Sequence, residues 1–225
     1  MSGVARSSRF FGGTVALSVV LLVAGCGNAA DNQPTTGLSE HHSDGMHGAV
    51  LDDQYRMPDV SLTATDDASY SLTKDTSKPV TLVFFGYTHC PDICQVVMAD
   101  IASALTRLDD AERNQVGMLF ITTDPARDDP AKLRSYLDRF NPDFEGLTGD
   151  LDQIIKVADE LGVAVEKGER MPSGGYEVAH GTQIIAIDER DRAPLVWTEG
   201  TPAGDLAADI TTLLDGGVPT EGSTT

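Results

Sequence analysis

The sequence predicts an α/β domain, a central mixed sheet with helices on both faces and an N-terminal β-hairpin extension. Three observations predict it. Two apolar runs, Val80–Gly86 and Val116–Thr122, have the length and the β-branched or aromatic content of buried strands. Segments with apolar residues at helical spacing follow each run. A late pair of strand-length runs around a polar turn then precedes a last helix, and a sheet layered between helices satisfies that order.

Each element has a local reason. Asp59–Thr63 and Ser69–Leu72 flank the polar stretch Thr65-Asp66-Asp67, which predicts the front hairpin. Lys78-Pro79 leads into the first buried strand. Ile93, Val97, Ile101, Ala104, Leu105 and Leu108 then mark one helical face. After the second buried strand, Asp129-Pro130 supplies an N-cap and a first-turn proline for a helix carrying Leu133, Tyr136, Leu137 and Phe140. Leu151, Ile154, Ile155, Ala158 and Leu161 define a further helix that Gly162 stops. An irregular segment follows. Gln183–Asp188 and Pro194–Thr198 flank Glu189-Arg190-Asp191 as a hairpin, and Thr201-Pro202 caps a final helix with Leu206, Ile210 and Leu213. The order β-α-β-α, a further helix, then β-β-α is the thioredoxin order with a hairpin added in front.

The N-terminus predicts the compartment. Arg6 and Arg9 precede an apolar run from Phe10 to Val23, which closes on Val23-Ala24-Gly25-Cys26. Charge, length and small-residue finish are those of a secretory signal, and the run is short for a bilayer crossing. The finish resembles a bacterial lipobox. That resemblance implies cleavage before Cys26, a lipid on its sulfur, and a lipoprotein on the outer face of the cell membrane. Residues 1–25 are thus expected as a signal peptide and 26–50 as a flexible, polar tether. The domain is expected over 51–215, with a disordered tail over 216–225.

Charge excludes one class of partner. Without the leader the chain keeps 14 basic residues against 35 acidic ones, a formal charge of −21. That excess repels phosphate backbones, so no nucleic acid is expected, and it offers no polybasic face to anionic lipid. The acyl anchor is then the expected membrane contact.

Cys26 being taken by lipid leaves Cys90 and Cys94. A bridge over three intervening residues closes so small a loop that it constrains the unfolded chain little, so stability is a weak reason for the pair. Their setting is Gly86-Tyr87-Thr88-His89-Cys90-Pro91-Asp92-Ile93-Cys94, at the end of a strand and the opening of a helix. Pro91 suits the first helical position, which predicts Cys90 at the cap, where free N–H groups favour thiolate. Cys94 follows one turn on, with Cβ atoms about 5–6 Å apart. Two chemistries fit such a pincer: gripping a soft metal, or cycling between dithiol and disulfide as a redox pair. His180 tilts the balance. In this topology the loop entering the Gln183–Ile187 strand lies beside the cysteines and ordinarily holds a cis-proline; here it carries a histidine and no proline. Thiolate with imidazole suits copper in both oxidation states, Cu(I) and Cu(II), whereas a structural zinc site wants four protein ligands.

Together, Phe84 to Cys94, Thr123-Asp124-Pro125-Ala126-Arg127-Asp128, Gly146-Leu147-Thr148-Gly149 and Tyr176 to His180 resemble the SCO/SenC family. The resemblance covers about residues 55–215. It implies a thioredoxin fold, copper ligation by Cys90, Cys94 and His180, and a role in cytochrome c oxidase assembly. The implied acceptor is the two-copper site of oxidase subunit II, or another copper-accepting membrane protein. The family often shows an acidic residue and a serine around its histidine, whereas Ala179 and Gly181 stand here. A thiol–disulfide oxidoreductase, with Cys90 attacking and Cys94 resolving, is the alternative. Among neighbours, His89 is expected to point away from the metal and Met98 to fill the core. Asp124 either bonds near the site or caps a turn. His41, His42, Met46 and His47 are expected as solvated tether residues, with weak copper collection as the sharper alternative.

Overall fold

The computed structural model describes residues 45–170 and 176–217. The expected signal peptide, Cys26, His41, His42, most of the tether and the tail from residue 218 lie outside the described residues. Every described residue belongs to one compact unit.

Strands β1 (Ala49–Arg56), β2 (Ser61–Ala64), β3 (Ser69–Ser71) and β4 (Val80–Gly86) come first. Then follow α1 (Ile93–Leu105), α2 (Asp110–Arg113), β5 (Val116–Thr122), α3 (Pro130–Leu137), β6 (Glu145–Thr148) and α4 (Leu151–Glu160). The remainder is β7 (Val165–Arg170), β8 (Tyr176–His180), β9 (Ile184–Asp188), β10 (Arg192–Trp197) and α5 (Ala203–Leu214). Among the described residues, one eight-stranded sheet runs β1-β10-β9-β4-β5-β6-β2-β3, and β7 pairs with β8 separately. β4, β5 and β6 are parallel, while β9 lies antiparallel to β4. This mixed sheet with helices on both faces is a thioredoxin-like fold.

Period-two alternation along the central strands builds two cores. Leu82 and Phe84 of β4, with Met118 and Phe120 of β5, face α1, α3 and α5 through Met98, Ile101, Leu133, Leu137, Leu206 and Ile210. Val83, Phe85, Leu119 and Ile121 face the other way, onto Ile154, Val157, Ala158 and Leu161 of α4 and its end. Both central strands are therefore predominantly apolar, with Thr81 and Thr122 as buried exceptions, as parallel strands covered on two faces are expected to be.

Caps agree with the sequence at α3, where the Asp129 side chain accepts from Lys132 N–H and Pro130 opens the helix. Gly162 ends α4 at φ +70, and a Cβ there would also strike the Tyr55 ring. The front hairpin β2–β3 joins the main sheet through β2 and β6, with Ala64 opposite Leu147. At α5 the expectation needs correcting. Pro202 itself occupies the N-cap, where its apolar ring offers no side-chain bond, and the Thr201 hydroxyl donates backward to the Thr198 carbonyl instead of capping.

Packing also begins before residue 51. Met46 is buried in the first core, and the Asp209 carboxylate accepts from His47 N at 3.0 Å and Gly48 N at 2.8 Å. Met46 and His47, expected as solvated tether residues, are therefore docked on α5. Among the described residues, no helix is long and apolar enough to cross a membrane.

Candidate metal centre

The site forms where β4 ends. A Cβ on Gly86 would stand 3.0 Å from the Phe84 and Phe120 rings and 3.1 Å from Cys94 Sγ, so glycine leaves the room this sulfur occupies. The chain then turns, Cys90 N–H donating to the Tyr87 carbonyl at 3.2 Å. That turn delays the helix. The N-cap is Asp92 rather than Cys90, and Pro91 lies outside the helix instead of at its first position. The electrostatic consequence survives in another form, since the N–H groups of Asp92, Cys94 and Ile93 bond to the Cys90 sulfur from the start of α1.

The two thiols are unlike each other. Burial raises the Cys90 thiol, but those N–H bonds and the Cys94 side chain outweigh it and hold Cys90 below the usual cysteine value. Cys94 is fully buried. Burial pushes its thiol well above the usual value, and its bond to the Cys90 side chain pushes it further. The metal-free pair thus keeps its proton on Cys94 beside a thiolate-prone Cys90 that is only 6% exposed. Both cysteines are free thiols.

His180 arrives from a distant segment. It closes β8 opposite Val165 of β7, and Gly181 N–H bonds the Ala164 carbonyl at 2.9 Å. Its Nδ1 stands 2.9 Å from the Gly181 carbonyl, which only accepts, so Nδ1 carries the proton and the Nε2 lone pair is free for bonding. Nε2 lies 3.6 Å from Cys94 Sγ. Burial lowers the imidazole, partly opposed by the Gly181 bond, which keeps the ring neutral at pH 7. Phe84 and Tyr87 set their rings edge-to-face against it at 6.3 and 5.8 Å. Burial first, then the nearby sulfurs, pushes the Tyr87 phenol up to about 12.

Donor atoms of Cys90, Cys94 and His180 all lie within 4.8 Å of one another. Metal bonds of about 2.0–2.3 Å to nitrogen and sulfur set three trigonal donors roughly 3.7–4.0 Å apart, so closure of up to about 1 Å suffices. Two sulfurs and an unprotonated imidazole nitrogen form a soft, three-donor set suited to copper. Segments 86 residues apart in sequence have met as the sequence expected.

Other named residues sort cleanly. His89 is about half exposed, with Nδ1 2.9 Å from the Thr88 hydroxyl and 3.6 Å from Asp128, outside the donor cluster. Met98 is fully buried in the core. Asp124 is buried and ion-paired with Arg127, whose guanidinium lies 5.9 Å over the Tyr87 ring, so it supports the wall beside His180. Sequence reasoning missed Asp128. Its fully buried carboxylate accepts from Thr88 N at 2.8 Å, Thr88 Oγ1 at 2.6 Å and Thr122 Oγ1 at 2.7 Å, fastening the turn two residues before Cys90. The signal was present only as the end of Thr-Asp-Pro-Ala-Arg-Asp, whose role depends on a contact 40 residues away. Asp128→Asn swaps an acceptor for an N–H2 among three donors. It is expected to lower copper affinity by about 10–100-fold, as loss of a supporting bond does, read by competition with a chromophoric copper chelator.

Fold and donor cluster define a class, a thioredoxin-like protein with a Cys–Cys–His cluster at the end of its central strand. The chain belongs to the SCO1/SenC family, whose model matches residues 53–215. A Stutzerimonas stutzeri protein named for copper binding is 29% identical over 161 residues, covering 72% of this chain and 74% of its own. The mitochondrial protein SCO2 of Saccharomyces cerevisiae is 34% identical over 129 residues, 53% of this chain and 43% of that one. Among solved structures, copper-bound ScoI of Bradyrhizobium japonicum superposes with a TM-score of 0.61 at 31% identity, covering 71% of this chain and 97% of that one. Copper-bound ScoI of Arabidopsis thaliana gives 0.63 at 26%, covering 69% and 96%.

Proposed function

We propose that this protein is a copper metallochaperone. It binds one copper ion through Cys90, Cys94 and His180 and passes it by ligand exchange to the two-copper site of cytochrome c oxidase, or to another copper-accepting membrane protein. The observation that carries the reading is the approach of an imidazole Nε2 to within 3.6 Å of a buried sulfur in a three-donor cluster. Copper-bound relatives within the same family support the choice of metal. A lipid on Cys26, on the outer face of the cell membrane, would hold donor and acceptor on one surface and raise their effective concentration without any new contact.

The asymmetry of the thiols favours a second reading. A thiolate-prone Cys90 beside a proton-holding Cys94 is the arrangement of an attacking and a resolving thiol in a thiol–disulfide oxidoreductase acting on the acceptor's cysteines. His180→Ala separates the two. Under the chaperone reading this variant loses copper in titration, while its dithiol exchange, followed with a small disulfide, continues. Full copper affinity in His180→Ala would leave the redox reading alone standing.

A further inference from the structure

Next to the donor cluster lies a cavity that the copper reading does not use. It is an open depression of about 300 Å³ between the Thr88-His89 turn and α3, lined by Thr88, His89, Lys132, Ser135, Tyr136 and Arg139. The last four stand at helical spacing of three and four, so one stripe of α3 and its end faces the turn that leads into Cys90. Every wall residue is polar or carries a polar tip, and two are cations. That is unusual on a chain with 35 acidic and 16 basic residues.

One detail points to an anion. Arg139 stacks its guanidinium 4.6 Å over the Tyr136 ring and 5.8 Å from that of Phe140, and its bond to the Tyr136 carbonyl uses one of five N–H donors. A guanidinium held flat by rings is prearranged to present a fork to a carboxylate. Lys132 is partly spent, since Nζ donates to the Arg127 carbonyl at 2.8 Å and sits 3.2 Å from Asp129. His89 is 3.6 Å from Asp128, which Thr88 and Thr122 already occupy.

We infer that this pocket receives a carboxylate side chain from an acidic segment of the protein that exchanges metal with the Cys90 rim. The inference rests on the copper-transfer reading, which brings a metal-accepting partner to this side of the molecule. His89 adjoins Cys90 in sequence, so an acidic residue seated between Arg139 and Ser135 would bring the partner's own ligands toward the Cys90 sulfur. The pocket is also a cationic notch in a negative surface, which selects one docking register and rejects others by repulsion.

The test uses the reduced full chain, isotope-labelled, with a capped Gly-Glu-Asp-Glu-Gly peptide as probe. Gly-Gln-Asn-Gln-Gly, acetate and inorganic phosphate serve as further arms. The acidic peptide is expected to shift the amide signals of His89 and Ser135, and Lys132→Gln and Arg139→Gln to weaken it about two- to fivefold each. Unmoved pocket signals, or unchanged affinity in Arg139→Gln, overturn the inference. Acetate or phosphate displacing the peptide at matched charge overturns it too, since the pocket would then hold any small anion. Copper titration of the same samples keeps the two claims apart. Stoichiometric copper without peptide binding refutes the docking site alone, whereas absence of copper in the unaltered chain refutes the chaperone reading itself.

Discussion

Cys94→Ser is expected to lower Cu(I) affinity by more than the roughly 10–100-fold that loss of a supporting partner costs, because it removes a donor outright. Serine nearly matches the volume, so the fully buried position beside Gly86 keeps its packing and only the soft ligand is lost. The pH dependence gives a second, independent signature. In the metal-free protein the Cys94 thiol is held well above the usual cysteine value, so at pH 7 copper must displace its proton. His180, lowered by burial, is already neutral there and contributes no proton. Affinity therefore rises with pH and falls as acid returns the proton to sulfur. In Cys94→Ser the slope of log K against pH should drop by about one per unit, because one ligand proton no longer leaves. Chelator competition from pH 6 to 8.5 measures both effects. A variant with unchanged affinity and slope would place the copper elsewhere.

Asp209→Ala is expected to produce the largest loss of stability. Its carboxylate is fully buried and accepts the Trp197 indole N–H at 2.7 Å, the Gly48 N–H at 2.8 Å and the His47 N–H at 3.0 Å. Truncation leaves buried donors without an acceptor, each costing about 1–3 kcal/mol, and solvent reaching His47 offsets part of it. A net loss of about 3 kcal/mol corresponds to a melting temperature lower by roughly 6–12 °C for a domain of this size. Gly48 shows how close the fit is, since a Cβ there would stand 2.8 Å from the Trp197 ring. The sole tryptophan reports directly, so denaturant unfolding followed by its emission is the measurement. Copper stoichiometry should be unaltered. A midpoint within experimental error of the unaltered chain would show that the carboxylate is not a strap.

The parts legible in the sequence were those whose causes are local. β4 and β5 have the bounds their apolar runs predict, and α3 opens on the capping aspartate and proline that announce it. Elements held by distant partners were not legible. β1 is an edge strand whose register against β10 slips between Val50 and Tyr55, so no clean alternation marks it. β6 has only four residues, one of them glycine, and is a strand because β5 and β2 flank it. The segment read as irregular contains β7 and β8, polar strands that pair mainly with each other. Helix α2 is a single turn closed by the Asp109–Glu112 capping box.

The donor cluster shows the same division. Cys90 and Cys94 stand out from their spacing at a strand end, although the Tyr87–Cys90 turn moves the helix start past the predicted cap. His180 was reachable through topology, but the strand that carries it was not. Asp128, Arg127 and Tyr87 act only through the folded chain. An aspartate that clamps a threonine 40 residues away, or a guanidinium over a ring, has no periodic or compositional mark.

Copper titration of the reduced chain, read by X-ray absorption at the copper edge, is the most direct test of the three-donor site. One ion per chain, surrounded by two sulfurs and one imidazole nitrogen, with the nitrogen shell missing in His180→Ala, is the predicted spectrum. Sulfur-only coordination in the unaltered protein, or copper shared between two chains with no imidazole scattering, would contradict it.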